Sequence, residues 1–334
     1  MLTRLALASL TLLPLVACVG KGPLQEAKPA DACGELVMPV QARLIQLPTG
    51  GAVMSSATLM AASASAPGAS PTPTPATPEH CQVLGRIVSA DPSEAPVLFQ
   101  VNLPTQWNGR AVQYGGGANG ALVSGLEQPP AALYDAATPL SQGYATFGSD
   151  AGSQSAPAEP AHKMVRDVAF QLAIRAYGHG PQKVYFIGGS ESGREGLAMA
   201  QRYPNDYDGI VSGVRSASAP VDPAQPDLMA FQKRGGKLLM LERAATAAPG
   251  PLYYDSAVAQ FGQAKVDGFL RVYAAPGAAP SARVDLLGPM AAWVEHAEAP
   301  GALTLVEQEP APPFRTLSTQ PLCAWPLHVS ECKP

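Results

Sequence analysis

Ser190 stands in the run Gly188-Gly189-Ser190-Glu191-Ser192-Gly193. Before it lies an apolar β-rich stretch, Val184-Tyr185-Phe186-Ile187; after it comes a helical pattern with Leu197, Ala198, Ala200 and Tyr203 on one side. Strand, tight turn with a serine at its apex, then helix is the geometry of a nucleophile elbow. Small neighbours are needed because the strained turn brings the serine backbone close to the adjoining strand and helix. The Gly-x-Ser-x-Gly pattern carries Ser192 in its last place here, with Gly193 behind it. A serine so placed attacks a carbonyl carbon and holds the acyl group covalently.

Further chemistry needs oxyanion donors, a base and an acid. The glycine-rich Gly115-Gly116-Gly117-Ala118-Asn119-Gly120 can turn a backbone N–H toward an oxyanion with no side chain intervening. Taken alone it reads as a glycine-rich hairpin. It is not a phosphate loop, since no Lys-Ser/Thr follows the glycines. For a base the chain offers only His80, His162, His179, His296 and His328. Asp150 precedes the serine and reads as a turn-fixing residue. No CxxC or histidine pair suggests a metal site, and no cofactor is implied.

The elements that must position these groups follow from periodicity. Alternation over Leu36 to Leu47, and the runs Val83–Val88 and Val97–Leu103, predict strands. His162 to Tyr177 predicts a helix with Met164, Val165, Val168, Ala169, Leu172 and Ala176 as its apolar stripe and Gly178 as its stop. The alternation predicts an α/β fold with a mainly parallel sheet. Residues 61–78, rich in Pro, Ala and Thr, predict a mobile loop. Only 14% of the 334 residues are charged and the net charge is −4, which gives no electrostatic basis for nucleic-acid binding.

At the N-terminus, Arg4 precedes the apolar run Leu5–Leu13, which is too short to span a bilayer and placed as a signal peptide. Leu15-Val16-Ala17-Cys18 resembles the bacterial lipoprotein box, implying lipidation of Cys18 and, with Val19 next, the outer membrane. Residues 1–17 are then the signal, 18–32 a tether and 33–334 one domain. Export leaves Cys33, Cys81, Cys323 and Cys332, an even set that suits an oxidising compartment and allows three pairings.

The words beyond the serine identify a family. Ala200-Gln201-Arg202-Tyr203-Pro204 and Asp206-Tyr207-Asp208-Gly209-Ile210 resemble the tannase and feruloyl esterase family, whose elbow helix typically reads Gly-Cys-Ser-x-Gly-Gly-Arg-Gln-Gly-Leu. Trp107-Asn108-Gly109-Arg110, Arg234-Gly235-Gly236-Lys237, Trp293-Val294-Glu295 and Pro321-Leu322-Cys323 are similar to further words of that family. The resemblance implies an α/β-hydrolase fold, Ser190 as nucleophile, and the N–H groups of Glu191 and of Gly116 or Gly117 as oxyanion donors. It also implies bridges Cys33–Cys81 and Cys323–Cys332.

Departures from the family are as informative. Only Val214 to Pro226 follow the strand where relatives insert a large lid, so no large lid is expected. Thr246 stands at the position of the family acid and Pro280 at that of the base. Gly189 and Ser281 replace the cysteine pair that ties nucleophile to base in relatives. Glu242 and Asp255 are the available substitute acids.

The resulting expectation is a lipid-anchored ester hydrolase of this family, acting through an acyl-Ser190 intermediate, with weak or absent turnover. The alternative is a non-catalytic binding or envelope-structural module. A small ester or aromatic ligand, and a membrane held through the N-terminal lipid, are the expected partners.

Overall fold

The structure, a computed structural model, describes residues 33–327 except 68–70, 117–121, 123, 152–157, 190, 215–226, 244–248, 276–277 and 280. Ser190, Gly117, Thr246, Pro280, Cys18, Cys332 and His328 therefore lie outside the described residues.

Nine strands form the main sheet: β1 (Thr49–Met60), β2 (His80–Ser89), β3 (Val97–Pro104), β4 (Arg110–Tyr114), β5 (Ala145–Ser149), β6 (Lys183–Gly188), β7 (Gly209–Val214), β8 (Lys237–Glu242) and β9 (Leu270–Ala274). Their spatial order is β1-β2-β3-β5-β4-β6-β7-β8-β9. The first four neighbours pair antiparallel, and every pair from β5 onward is parallel. Interleaved are helices α1 (Ala158–Tyr177), α2 (Glu191–Arg202), α3 (Met229–Lys233), α4 (Pro249–Phe261), α5 (Gln263–Val266) and α6 (Leu287–His296). A small antiparallel sheet, β10 (Ala282–Arg283), β11 (Leu303–Gln308) and β12 (Thr316–Leu322), completes the described elements.

Strand periodicity explains the layers. In β6 every residue from Val184 to Gly188 is buried, as a central parallel strand covered on both faces must be. Val184 and Phe186 face the cluster that holds Val165, Val168 and Leu172 of α1 and Leu197 of α2. Tyr185 and Ile187 face the opposite cluster, with Met290 of α6 and Leu305 of β11. Helix α1 ends where expected, Gly178 taking φ +81° and its N–H donating to the Ile174 carbonyl.

One expectation needs correction. Residues 36–47 form no strand; 3-10 turns occupy Cys33–Val37 and Ala42–Leu44, and only Val40 pairs, with Ala52. Pro39 has no N–H to donate, which limits ladder formation there. Within residues 61–78 two isolated pairs extend the β1–β2 ladder: Ser63 and Thr77 exchange backbone hydrogen bonds of 2.9 and 3.0 Å, and Ala66 and Thr74 ones of 3.2 and 2.8 Å. Pro75, which has no N–H to donate, sits between the two bonded pairs.

Most of the family's words turn out to be joints of this frame. Asn108 Oδ1 accepts the Arg110 N–H at 2.9 Å while Gly109 takes φ +79°, and Trp107 Nε1–H donates to the Arg110 carbonyl at 2.7 Å. Arg110 then pairs with Glu295 of α6, whose other oxygen accepts the Tyr185 hydroxyl at 2.6 Å. Burial, aided by Glu295, pushes the Tyr185 phenol far above its ordinary range, so it stays a donor. Asp208 accepts the Val184 N–H at 2.9 Å, and Asp150 accepts that of Leu98 at 2.8 Å. Asp150 is thus a turn-fixing residue, its carboxyl pushed up by burial against the pull of the Leu98 N–H.

Candidate active site

The parallel strands β6, β7 and β8 end side by side, at the edge where open α/β sheets bind ligands. Strand β6 runs into Gly188-Gly189, and α2 opens at Glu191. The first N–H groups of a helix have no intrahelical acceptor, so the Glu191 N–H is available at the turn. The glycines around it are sterically required. A Cβ on Gly193 would meet the Gly213 carbonyl oxygen at 2.3 Å, and one on Gly189 the Pro130 Cβ at 2.5 Å. Ser212 Oγ–H donates to the Gly193 carbonyl at 2.7 Å, holding helix to strand.

Beside the elbow, the glycine-rich loop is strapped down twice. The Gly115 N–H donates to the Ile187 carbonyl at 2.9 Å, and the Gly116 N–H to Glu195 Oε2 at 3.0 Å. That same oxygen lies 2.9 Å from His162 Nε2. A Cβ on Gly116 would fall 1.7 Å from the Ala151 carbonyl oxygen, so only glycine fits. Of the two glycines expected as oxyanion donors, Gly116 is thus committed to Glu195. The sequence reading passed over this cluster, although the signal was present: Glu195 stands where the family's elbow helix carries Gln. The carboxylate adds a charge that faces a histidine whose side chain is 0% exposed.

The other described histidines are placed away from the elbow. His80 is buried at the foot of the 61–78 arm, where its Nδ1 lies 2.7 Å from the Pro78 carbonyl and burial lowers its pKa. His179 stacks on Trp107 at 5.1 Å, and His296 is exposed at the end of α6. Of the substitute acids, Asp255 is exposed and accepts the Trp325 indole N–H at 3.1 Å. Glu242 is 1% exposed at the end of β8. Ser281 leads into β10 and its Oγ lies 3.3 Å from Glu307 Oε1.

A cavity of about 130 Å³ opens directly at the elbow, lined by Gly188, Gly189, Ile187, Val211, Leu241 and Leu286 among others. Its polar side chains among the described residues are Arg243, just beyond β8, and Arg283 of β10. Arg283 and Ala131 also line a larger cleft of about 710 Å³. Residues 127–141 roof this cleft, with Thr72, Pro73 and Pro75 of the 61–78 arm along one wall. Gln308 of β11 clamps that roof, accepting the Tyr134 N–H at 2.9 Å and donating to Asp135 at 2.8 Å. Among the described residues, no group of three His, Cys, Asp or Glu side chains is placed to hold a metal ion.

Cys33 and Cys81 form a disulfide, as expected. Cys323 is also disulfide-bonded, to a partner outside the described residues.

Comparison with known proteins agrees with this architecture. The chain is 39% identical over 196 residues to an uncharacterised esterase of Agrobacterium fabrum, a match covering 54% of this chain and 34% of that protein. It is 32% identical over 171 residues to the mono(2-hydroxyethyl) terephthalate hydrolase of Piscinibacter sakaiensis, covering 43% of this chain and 28% of that enzyme. The matched segment thus spans about a third or less of the length of these relatives. In fold, the chain superposes on feruloyl esterase B from Aspergillus oryzae with a TM-score of 0.64 at 15% identity, covering 89% of this chain and 96% of that one. The family model described as tannase and feruloyl esterase matches residues 81–221 and 213–330. The chain belongs to the tannase and feruloyl esterase family and has its α/β-hydrolase fold.

Proposed function

We propose that this chain is a lipid-anchored ester-hydrolase scaffold of its family whose Ser190 turns over esters weakly or not at all. The observation that carries this reading is the lining of the elbow cavity, which among the described residues contains arginines and no histidine or carboxylate. With Thr246 and Pro280 in the acid and base positions, no side chain there takes the Ser190 proton. General-base assistance is worth about 10²–10⁴ in rate, and triads act as units. Inherited chemistry would run through an acyl-Ser190 intermediate, with the N–H groups of Glu191 and Gly117 as oxyanion donors, since Gly116 is engaged by Glu195.

Hydrolysis of p-nitrophenyl acetate by the full chain and by Ser190→Ala tests this. The two should differ little, and Thr246→Asp with Pro280→His should raise turnover by about 10² or more. Rapid Ser190-dependent turnover by the unmodified protein would overturn the reading. His162→Gln would then ask whether the histidine beside Glu195 had taken over as base. The anchor rests on Leu15-Val16-Ala17-Cys18. A fatty-acid analogue should label wild type and spare Cys18→Ser; equal labelling of both would remove the anchor and with it the outer-membrane location.

A further inference from the structure

We infer that the cavity beneath the 61–78 arm is a binding site for a small neutral alcohol, whose hydroxyl donates to His80 Nε2 and whose apolar body packs against the cavity wall. The inference is independent of turnover at Ser190.

His80 and Gln82 are alternate residues of β2 and project from one face of the strand, whereas Cys81 and Val83 enter the core on the other. The His80 face is covered by a cavity of about 420 Å³. Its walls come from the end of β1, from the 61–78 arm and from Ser124, Leu126 and Glu127. Although it points away from the core, His80 is only 2% exposed. Its Nδ1 lies 2.7 Å from the Pro78 carbonyl oxygen. A carbonyl oxygen only accepts, so Nδ1 carries the proton. Burial lowers the His80 pKa, which favours the neutral ring. Nε2 is then a lone-pair acceptor, and it is buried with no hydrogen-bond partner among the described residues.

The cavity's hydroxyl groups are matched to one another. Ser63 Oγ and Thr77 Oγ1 lie 2.8 Å apart, and Ser124 Oγ–H donates to Glu127 Oε2 at 2.6 Å. The Leu126 N–H donates to that same oxygen at 3.0 Å. His80 Nε2 is left as the unmatched group, and a buried acceptor without a donor is destabilising. Both His80 and Glu127 present acceptors, so the site calls for a donor and repels an anion. Met60, Ala61, Pro75 and Leu126 supply apolar walls around a volume that holds a six-membered ring. One O–H on a hydrocarbon body meets both demands. Pro75 and Glu127 also line the cleft that reaches Arg283, so the two spaces adjoin.

NMR titration of the full chain, labelled with ¹⁵N at histidine, tests the assignment with cyclohexanol, cyclohexanone and cyclohexylammonium. Cyclohexanol should bind and move the His80 Nε2 resonance, since that nitrogen gains a hydrogen bond. Cyclohexanone is of like size but has no O–H, and should bind about tenfold weaker or more. Cyclohexylammonium should also bind more weakly than the alcohol. His80→Phe should weaken cyclohexanol by about tenfold or more, as should Ala61→Phe, which occupies the cavity and leaves His80 unchanged. Should His80→Phe fail to fold for loss of its Pro78 bond, Ala61→Phe and the Nε2 resonance decide. Ser190→Ala should bind cyclohexanol as the wild type does. Equal binding of alcohol and ketone, tighter binding of the ammonium ion, or no binding of the alcohol would each overturn the site. So would alcohol binding that survives the substitutions or leaves the His80 nitrogen unmoved. Affinity lost in Ser190→Ala would place the alcohol at the elbow and overturn it as well.

Discussion

Gly189 shows how one atom separates this chain from its relatives. Where the family has a cysteine beside the nucleophile, a Cβ would strike Pro130 at 2.5 Å. Gly189→Cys with Ser281→Cys should therefore not restore the family bridge while Pro130 remains. The single Gly189→Cys change should cost about 1–3 kcal/mol by overpacking, measured by urea unfolding, and Pro130→Gly should relieve it. No loss of stability would show that residues 127–141 yield easily. His80 bears on pH. Burial holds its folded pKa below the ordinary value of 6.5, so the unfolded chain takes up the proton first as pH falls. Its contribution is therefore complete above 6.5 and is lost below it, at up to about 1.4 kcal/mol per pH unit. Urea midpoints at pH 7.5 and 5.5 should converge less for wild type than for His80→Asn; identical pH dependence would exclude His80.

Among the elements, β1 has no counterpart in the expectations from sequence. Strand β1 is mostly small and polar, with half of it exposed, so it lacks the apolar alternation that marks a strand. Its place is decided by pairing with β2 over Thr49 to Met60 and by the Cys33–Cys81 bridge, which closes a span of 48 residues around it. Cys33→Ser with Cys81→Ser should lower the unfolding free energy by about 2–4 kcal/mol. Limited proteolysis should then cut within residues 61–78 faster than in wild type. Unchanged cleavage would mean that the arm's own hydrogen bonds suffice. The elbow helix, in contrast, was legible as an element, though it opens at Glu191, ahead of the apolar pattern that starts at Leu197.

At the scale of the molecule, structural and chemical words separate to opposite ends of the sheet. Arg110, Lys183 and Glu295 meet where the parallel strands begin, whereas Arg243, Arg283 and Gly189 meet where β6 and β8 end. The first set keeps the words of the family and the second departs from them. Glu295→Ala should thus cost about 1–3 kcal/mol of stability in urea unfolding, for the lost Tyr185 and Arg110 partners. An unchanged unfolding midpoint would mean that neither partner depends on Glu295.

The sequence alone determined the family, the sheet's parallel half, the helix over His162–Tyr177, and the strand and helix on either side of Ser190. These depend on local periodicity, on turn sterics and on words a few residues long. Tertiary structure decided the rest. The Glu195 carboxylate, shared by the Gly116 N–H and His162 Nε2, joins three segments between positions 116 and 195. The convergence of Arg243 and Arg283 on the Ala282 carbonyl depends on how β8 and a separate small sheet meet. Each is a juxtaposition of distant chain segments, and no periodicity or spacing encodes a contact that only packing creates.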